Sequence, residues 1–192
     1  MKFKGLNHVA FATGDMDRTV RYWRDLLGMK LVAGHGHLGH RQYFFQLSEY
    51  SLVAFFEWPY VDRVPYKRHG EPVKGPFIFD HISLGVGSDE ELWQIAERLI
   101  SANFPCSDMV DHGFIHSIYT YDPNGIPLEF SAYVKGMDLP EHPVIADEDR
   151  PEAGEEGPEP HPAFWPPINV TFAEDEKHIV EGEGSDVFIF PR

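Results

Sequence analysis

Residues 110–129 read Val110-Asp111-His112-Gly113-Phe114-Ile115-His116-Ser117-Ile118-Tyr119-Thr120-Tyr121-Asp122-Pro123-Asn124-Gly125-Ile126-Pro127-Leu128-Glu129. Two alternating runs flank Asp122-Pro123-Asn124-Gly125, a turn in which Pro fixes φ and Asn-Gly tolerates φ > 0, so the stretch predicts a β-hairpin. Period-2 alternation along its second strand puts Pro127, Glu129 and Ser131 on one face and Leu128, Phe130 and Ala132 on the other. Glu129 is thus expected mid-strand among apolar neighbours. A carboxylate buried there is costly unless it is paired or meets a cation, which makes it a candidate ligand.

Working back from this hairpin, the chain repeats itself. Asn7-His8-Val9-Ala10-Phe11 is answered by Asp80-His81-Ile82-Ser83-Leu84. Each copy opens with a strand and runs into a helix. In the first copy Asp15 or Asp17 can cap the helix, Val20, Trp23 and Leu27 form its apolar stripe, and Gly28 follows its end. In the second, Ser88 and Glu91 read as a capping box ahead of the stripe Leu92, Ile95, Ala96, Leu99 and Ile100. Trp23 and Trp93 are both expected in the core. Three more strands close each copy: Met29 to Ala33, Arg41 to Leu47 and Ser51 to Trp58 in the first, Val110 to Tyr133 in the second, with Gly34 to Gly39 expected as a loop.

The expected fold is therefore α+β, two paired βαβββ modules making a curved, partly open β-barrel around a metal site. Residues 1–58 are the first module, 59–76 a Pro/Gly/basic connector, 77–136 the second module and 137–192 an acidic, Pro/Gly-rich extension. Matching the strands after the turns sets Leu128-Glu129-Phe130 against Val53-Ala54-Phe55. The first copy offers Ala54 where the second offers Glu129, and Glu57 points to the face opposite Ala54. His8 and His81 with Glu129 then form a three-ligand set with open positions, suited to a non-haem ferrous centre. If Glu57 joined through a bulge, the His₂Glu₂ set would suit Lewis-acid chemistry instead.

Composition bounds the rest. The net charge is −15, and residues 137–192 hold 15 of the 31 acids and 3 of the 16 bases, so −12 of it lies in the extension. Nucleic acid and anionic membranes are disfavoured as partners, because both need a basic footprint. Cys106 is the single cysteine. It rules out an intrachain disulfide and a thiolate cluster, leaving His and carboxylate as metal ligands. With neither a signal-peptide pattern nor a long apolar run, a cytoplasmic location is expected. His35, His37 and His40 in Gly34-His35-Gly36-His37-Leu38-Gly39-His40 read first as a surface loop or pocket rim and second as metal ligands. In the extension, Phe164 to Ile168 and Val187 to Phe190 are apolar enough to dock on the chain's own core or on a second subunit.

His8, His81 and Glu129, on matching strands of a duplicated unit, resemble the vicinal oxygen chelate superfamily, which includes glyoxalases, fosfomycin and bleomycin resistance proteins and extradiol ring-cleavage dioxygenases. The resemblance covers residues 4 to about 135. Val110-Asp111-His112, Ile118-Tyr119, Asp122 to Gly125 and Glu129 resemble the extradiol dioxygenase signature. It implies His8, His81 and Glu129 as ligands of a divalent metal, Fe(II) first and Mn, Zn or Ni as alternatives. It further implies Tyr119 as a proton or hydrogen-bond donor, His112 as a substrate contact, a small substrate with vicinal oxygens, and a homodimer. The extradiol acid/base histidine is matched here by Tyr50, with His40, His69 and His116 as possible substitutes. The rival readings are a glyoxalase-type lyase or isomerase, in which Glu57 is a fourth ligand, and a non-catalytic drug-binding module.

Overall fold

The computed structural model describes residues 6–66, 70, 79–139, 141–144, 155–160, 163, 165–177 and 179. The chain divides into two compact units, Met1–Val144 and Ile145–Arg192. Among the described residues the first unit holds eight strands in two four-stranded mixed sheets. Sheet A comprises β1 (His8–Thr13), β2 (Lys30–His37), β3 (His40–Gln46) and β4 (Leu52–Glu57), in the order β1-β4-β3-β2. Sheet B repeats that order with β5 (Ile82–Gly85), β8 (Pro127–Tyr133), β7 (Ile115–Tyr121) and β6 (Val110–Asp111). In both sheets the opening strand lies parallel to the closing one and the other pairs are antiparallel. The α+β class and the duplication are borne out, and among the described residues the two sheets do not close into a barrel, consistent with a curved, partly open sheet.

Asp15 caps helix α1 (Met16–Val20), its side chain accepting from Arg18 N–H, and the helix continues as a π-helical turn, Arg21–Leu26. Gly28, at φ +78°, supplies the left-handed residue that ends it. Ser88 caps α2 (Asp89–Ser101) by accepting from Glu91 N–H, while Glu91 reaches back to Gly87 N–H, one residue earlier than a reciprocal capping box requires. Leu92, Ala96 and Leu99 are buried on one face of α2. Trp93 and Ile100, 50% and 62% exposed, lie outside that face. The two are seven residues apart and so share a second, solvent-facing stripe, which corrects the expectation that Trp93 is core and Ile100 part of the buried stripe.

The core joins the two modules. Trp23 is fully buried with its ring 5.5 Å from Phe55, Phe11 lies 5.6 Å from Phe55, and Tyr22 packs 4.7 Å from Phe104. Burying an indole of this size contributes about 4 to 6 kcal/mol of transfer free energy. The β7–β8 turn is tight, with Gly125 N–H donating to Asp122 O at 3.0 Å. It is also anchored to the first module. Trp23 Nε1–H donates to Asp122 Oδ2 (3.4 Å), Thr13 Oγ1 donates to Asn124 Oδ1 (2.7 Å) and Asn124 Nδ2 donates to Thr19 Oγ1 (3.2 Å).

The expected loop 34–39 is instead the end of a β-hairpin. β2 runs through His37 and β3 starts at His40, so the turn is only Leu38-Gly39. Glycine at alternate positions hid the strand from a propensity reading, yet pairing to β3 satisfies its backbone. In the second unit the regular element among the described residues is a short 3-10 helix, Glu174–Glu176. Trp165 and Ile168 are exposed there, whereas Phe164 and Val187 to Phe190 fall outside the described residues. Among the described residues no helix is long and apolar enough to cross a membrane.

Candidate functional site

Strand pairing settles which positions of the two modules correspond. Ala10 pairs with Ala54 on β1/β4, and Ser83 pairs with Glu129 on β5/β8. His8 and His81 each stand two residues before the paired position. Ala54 is therefore the first-module equivalent of Glu129, as the sequence alignment of the two halves expected.

Glu129 is 4% exposed and receives partners at both oxygens. His81 Nε2 lies 3.0 Å from Oε2, and the Tyr119 hydroxyl donates to Oε1 at 3.0 Å. Tyr119 pairs directly with Glu129 across β7/β8. The phenol oxygen also accepts from His112 Nε2–H at 2.7 Å. On the far side of the imidazole, His81 Nδ1–H donates to Asp80 Oδ1 at 2.6 Å, and Asp80 is itself gripped by Gly70 N–H at 3.0 and 3.2 Å. A continuous polar chain thus runs Asp80, His81, Glu129, Tyr119, His112. The same face of sheet B adds hydroxyls from Ser83, Ser117 and Ser131, with Ser83 Oγ and Ser131 Oγ 2.9 Å apart. Apart from Pro127, Glu129's neighbours on its own face are these polar groups, which corrects the expectation of a purely apolar setting.

Electrostatics follow from this setting. Burial pushes the Glu129 carboxyl upward, but the hydroxyls of Ser117, Ser83 and Tyr119 and the charge of His81 outweigh it and hold the group below the ordinary glutamate range. Tyr119 moves the other way. Burial, then the hydrogen bond and charge of Glu129, push its phenol up to about 12. At neutral pH the site therefore presents a carboxylate beside a phenol that keeps its proton.

His81 and Glu129 fit a metal as a ligand pair. Two atoms each about 2.0 to 2.2 Å from an ion and at right angles around it are separated by about 3 Å, the spacing seen between His81 Nε2 and Glu129 Oε2. With Nδ1 engaged by Asp80, Nε2 is the nitrogen left for coordination. His8 is prepared the same way: its Nδ1–H donates to Asn7 Oδ1 at 2.8 Å. Its ring meets Phe44 at 5.8 Å, in sheet A, and among the described residues it forms no three-ligand group with His81 and Glu129. Among the described residues no group of three or more His, Cys, Asp or Glu side chains is gathered to hold a metal ion.

The other candidate residues are placed as follows. Glu57 lies on the sheet A face opposite His8 and Ala54, buried, its oxygens held by Arg41 Nε (2.9 Å), Met16 N–H (3.1 Å) and Gly39 N–H (3.2 Å). His116 alternates to the face opposite Tyr119 and bonds Asp89 at 2.9 Å. His40 closes the β2–β3 hairpin, Tyr50 is exposed in the turn before β4, and His69 lies outside the described residues. Sequence reasoning passed over Asn7 and Asp80. The signal was available, because in both copies the residue just before the histidine carries a side-chain oxygen.

The model of the Glyoxalase/Bleomycin resistance protein/Dioxygenase superfamily matches residues 5–130. The chain belongs to this superfamily. The superfamily match and the fold agree, since solved structures with the same architecture include a glyoxylase/bleomycin resistance protein/dioxygenase domain from Frankia sp. EAN1pec, with a TM-score of 0.58 at 21% identity over 69% of this chain and 100% of that one. The fosfomycin resistance protein FosX from Listeria monocytogenes has a TM-score of 0.53 at 17% identity, covering 73% of this chain and 100% of that one. A lactoylglutathione lyase from Agrobacterium tumefaciens has a TM-score of 0.52 at 18% identity, covering 69% and 96%. At these identities the likeness is one of fold. No curated protein matches the chain.

Proposed function

We propose that this superfamily member is a metal-dependent dioxygenase of extradiol type, acting on a small substrate with vicinal oxygens and using Fe(II). The observation that carries the reading is the convergence of His81 Nε2 and the Tyr119 hydroxyl on the two oxygens of the buried Glu129. A ferrous ion there would supply Lewis acidity and the electrons of dioxygen chemistry, with open positions for a diol. Glu129 and His81 would hold it. His8 of a second copy, in a homodimer that sets sheet A of one chain against sheet B of the other, would complete the set.

The chain's own residues do the rest. Asp80 holds the His81 ring so that Nε2 faces the site. Tyr119, protonated at neutral pH, holds a proton beside Glu129 and can hand it to a substrate oxygen, and His112 can return one through the 2.7 Å contact. This pair takes over the work of the extradiol acid/base histidine, whose sequence match, Tyr50, is exposed. Ala54 in place of a second carboxylate, with Glu57 held by Arg41 on the other face, supports a three-ligand centre over the four-ligand lyase arrangement.

The test is oxygen uptake by ferrous-loaded protein with catechols, gentisate-like compounds and other vicinal diols. Uptake that disappears in Glu129→Ala is the expected result. Diol binding without uptake in any ferrous sample would replace the enzyme reading with a binding module. Sedimentation velocity at tens of micromolar tests the homodimer, which a monomer would contradict.

A further inference from the structure

We propose that the tip of the β2–β3 hairpin carries a second, separate site for a borderline divalent transition-metal ion, held by the cross-strand pair His37 and His40.

The strand register brings these residues together. His37 pairs with His40 as the last cross-strand pair before the two-residue turn, and His35 pairs with Gln42, so all three histidines alternate onto one face of the hairpin. The His37 and His40 rings lie 5.9 Å apart between centroids and are inclined by only 35°. A small χ adjustment of two exposed side chains brings one nitrogen of each to a shared ion at about 2.0 to 2.1 Å. His37 Nδ1 lies 3.2 Å from Leu38 O. A carbonyl can only accept, so Nδ1 carries the hydrogen and Nε2 keeps the lone pair that a cation needs. His35, one pleat away, donates from Nε2 to Gln42 Oε1 at 3.0 Å and stays outside the pair.

The backbone holds the pair in place. Gly36 has φ +94°, and a Cβ there would meet His40 O at 2.2 Å and Arg41 Cα at 2.7 Å. Only glycine permits that approach, and the approach sets His37 against His40. Imidazole-only ligation of this kind suits Zn²⁺, Cu²⁺ and Ni²⁺ rather than Mg²⁺ or Ca²⁺. The hairpin pair is independent of Glu129, which lies on the other sheet.

Full-length protein stripped of metal is titrated with Ni²⁺ by calorimetry, as wild type, His37→Ala/His40→Ala and His81→Ala/Glu129→Ala. The hairpin site is expected to survive in the His81/Glu129 variant and to weaken by at least ~10-fold, or vanish, in the hairpin variant. Substoichiometric Cu²⁺ added to the wild-type protein should broaden the ring proton signals of His37 and His40 before those of His112 and His116, a readout that needs no variant to fold. Equal Ni²⁺ binding by wild type and hairpin variant, or Cu²⁺ broadening that bypasses His37 and His40, overturns the site and leaves the histidines as polar cover for the edge strand β2.

Discussion

Tyr119 and Glu129 are direct cross-strand partners on β7 and β8, and the phenol donates to the carboxylate at 3.0 Å. A tyrosine placed this way costs nothing to position at the moment of reaction, because sheet pairing has already oriented it. Burial first, and then the same contact, keep its proton in place at neutral pH, since both disfavour a negative charge on the phenol beside the carboxylate. Replacing Tyr119 by Phe removes the hydroxyl and little else. Metal content should be unchanged and turnover slower by roughly 10²-fold, the usual scale for one positioned proton donor. Iron analysis and oxygen uptake on the same preparations check this. Equal turnover in the two proteins would remove Tyr119 from the mechanism.

Asp80 should matter through His81. Its 2.6 Å contact with Nδ1 orients the ring and raises the ligand strength of Nε2. Asp80→Asn is expected to weaken Co²⁺ binding by about 10- to 100-fold and to shift the visible absorption of the Co²⁺ protein. Asp80→Glu should restore part of the loss. If wild type binds Co²⁺ and Asp80→Asn binds it equally well, Asp80 plays no orienting part.

Asp122 offers a pH signature away from the metal site. It is fully buried, accepts from Asn124 N–H, Ile126 N–H, Asn124 Nδ2 and Trp23 Nε1, and meets no cation among these partners. Burial raises its carboxyl above the ordinary aspartate range, against the pull of those hydrogen bonds. A group whose folded pKa is raised contributes stability that is fully present below its unfolded pKa, near 3.9, and is lost as pH rises through the folded value. The stability of wild type relative to Asp122→Asn should therefore increase on acidification from neutral pH toward about 4. Urea midpoints for both proteins across that range measure it, and a relative loss on acidification would reverse the assignment.

Gly125 should be irreplaceable for packing reasons. It has φ +84°, and a Cβ there would lie 2.0 Å from Val64 O, where the connector crosses the β7–β8 turn and Val64 N–H donates to Asn124 O at 2.8 Å. Gly125→Ala is expected to cost about 1 to 3 kcal/mol, backbone strain adding to displacement of the connector. Denaturant unfolding of the variant gives the value directly. A cost under ~0.5 kcal/mol would show that the connector yields freely.

The duplicated Asn-His and Asp-His strands, the turn at Asp122 to Gly125 and the period-2 alternation were enough to specify the βαβββ modules and to set Glu129 opposite Tyr119. These are local signals, carried by residue spacing and turn chemistry, and tertiary packing did not overrule them. Spacing reports which face a side chain takes but not what lies beyond that face. For that reason Trp93 reads as core from its helix and is exposed, and Glu129 reads as set among apolar residues and lies among hydroxyls and His81. The Gly/His stretch reads as a loop until β3 pairs with it, because glycine's strand conformation depends on a partner strand. Asp122 and Asn124 read only as turn residues. Docking against Trp23, Thr13 and Thr19, about a hundred residues earlier in the chain, makes them a buried link between the modules, and it arises from contacts that no local pattern encodes.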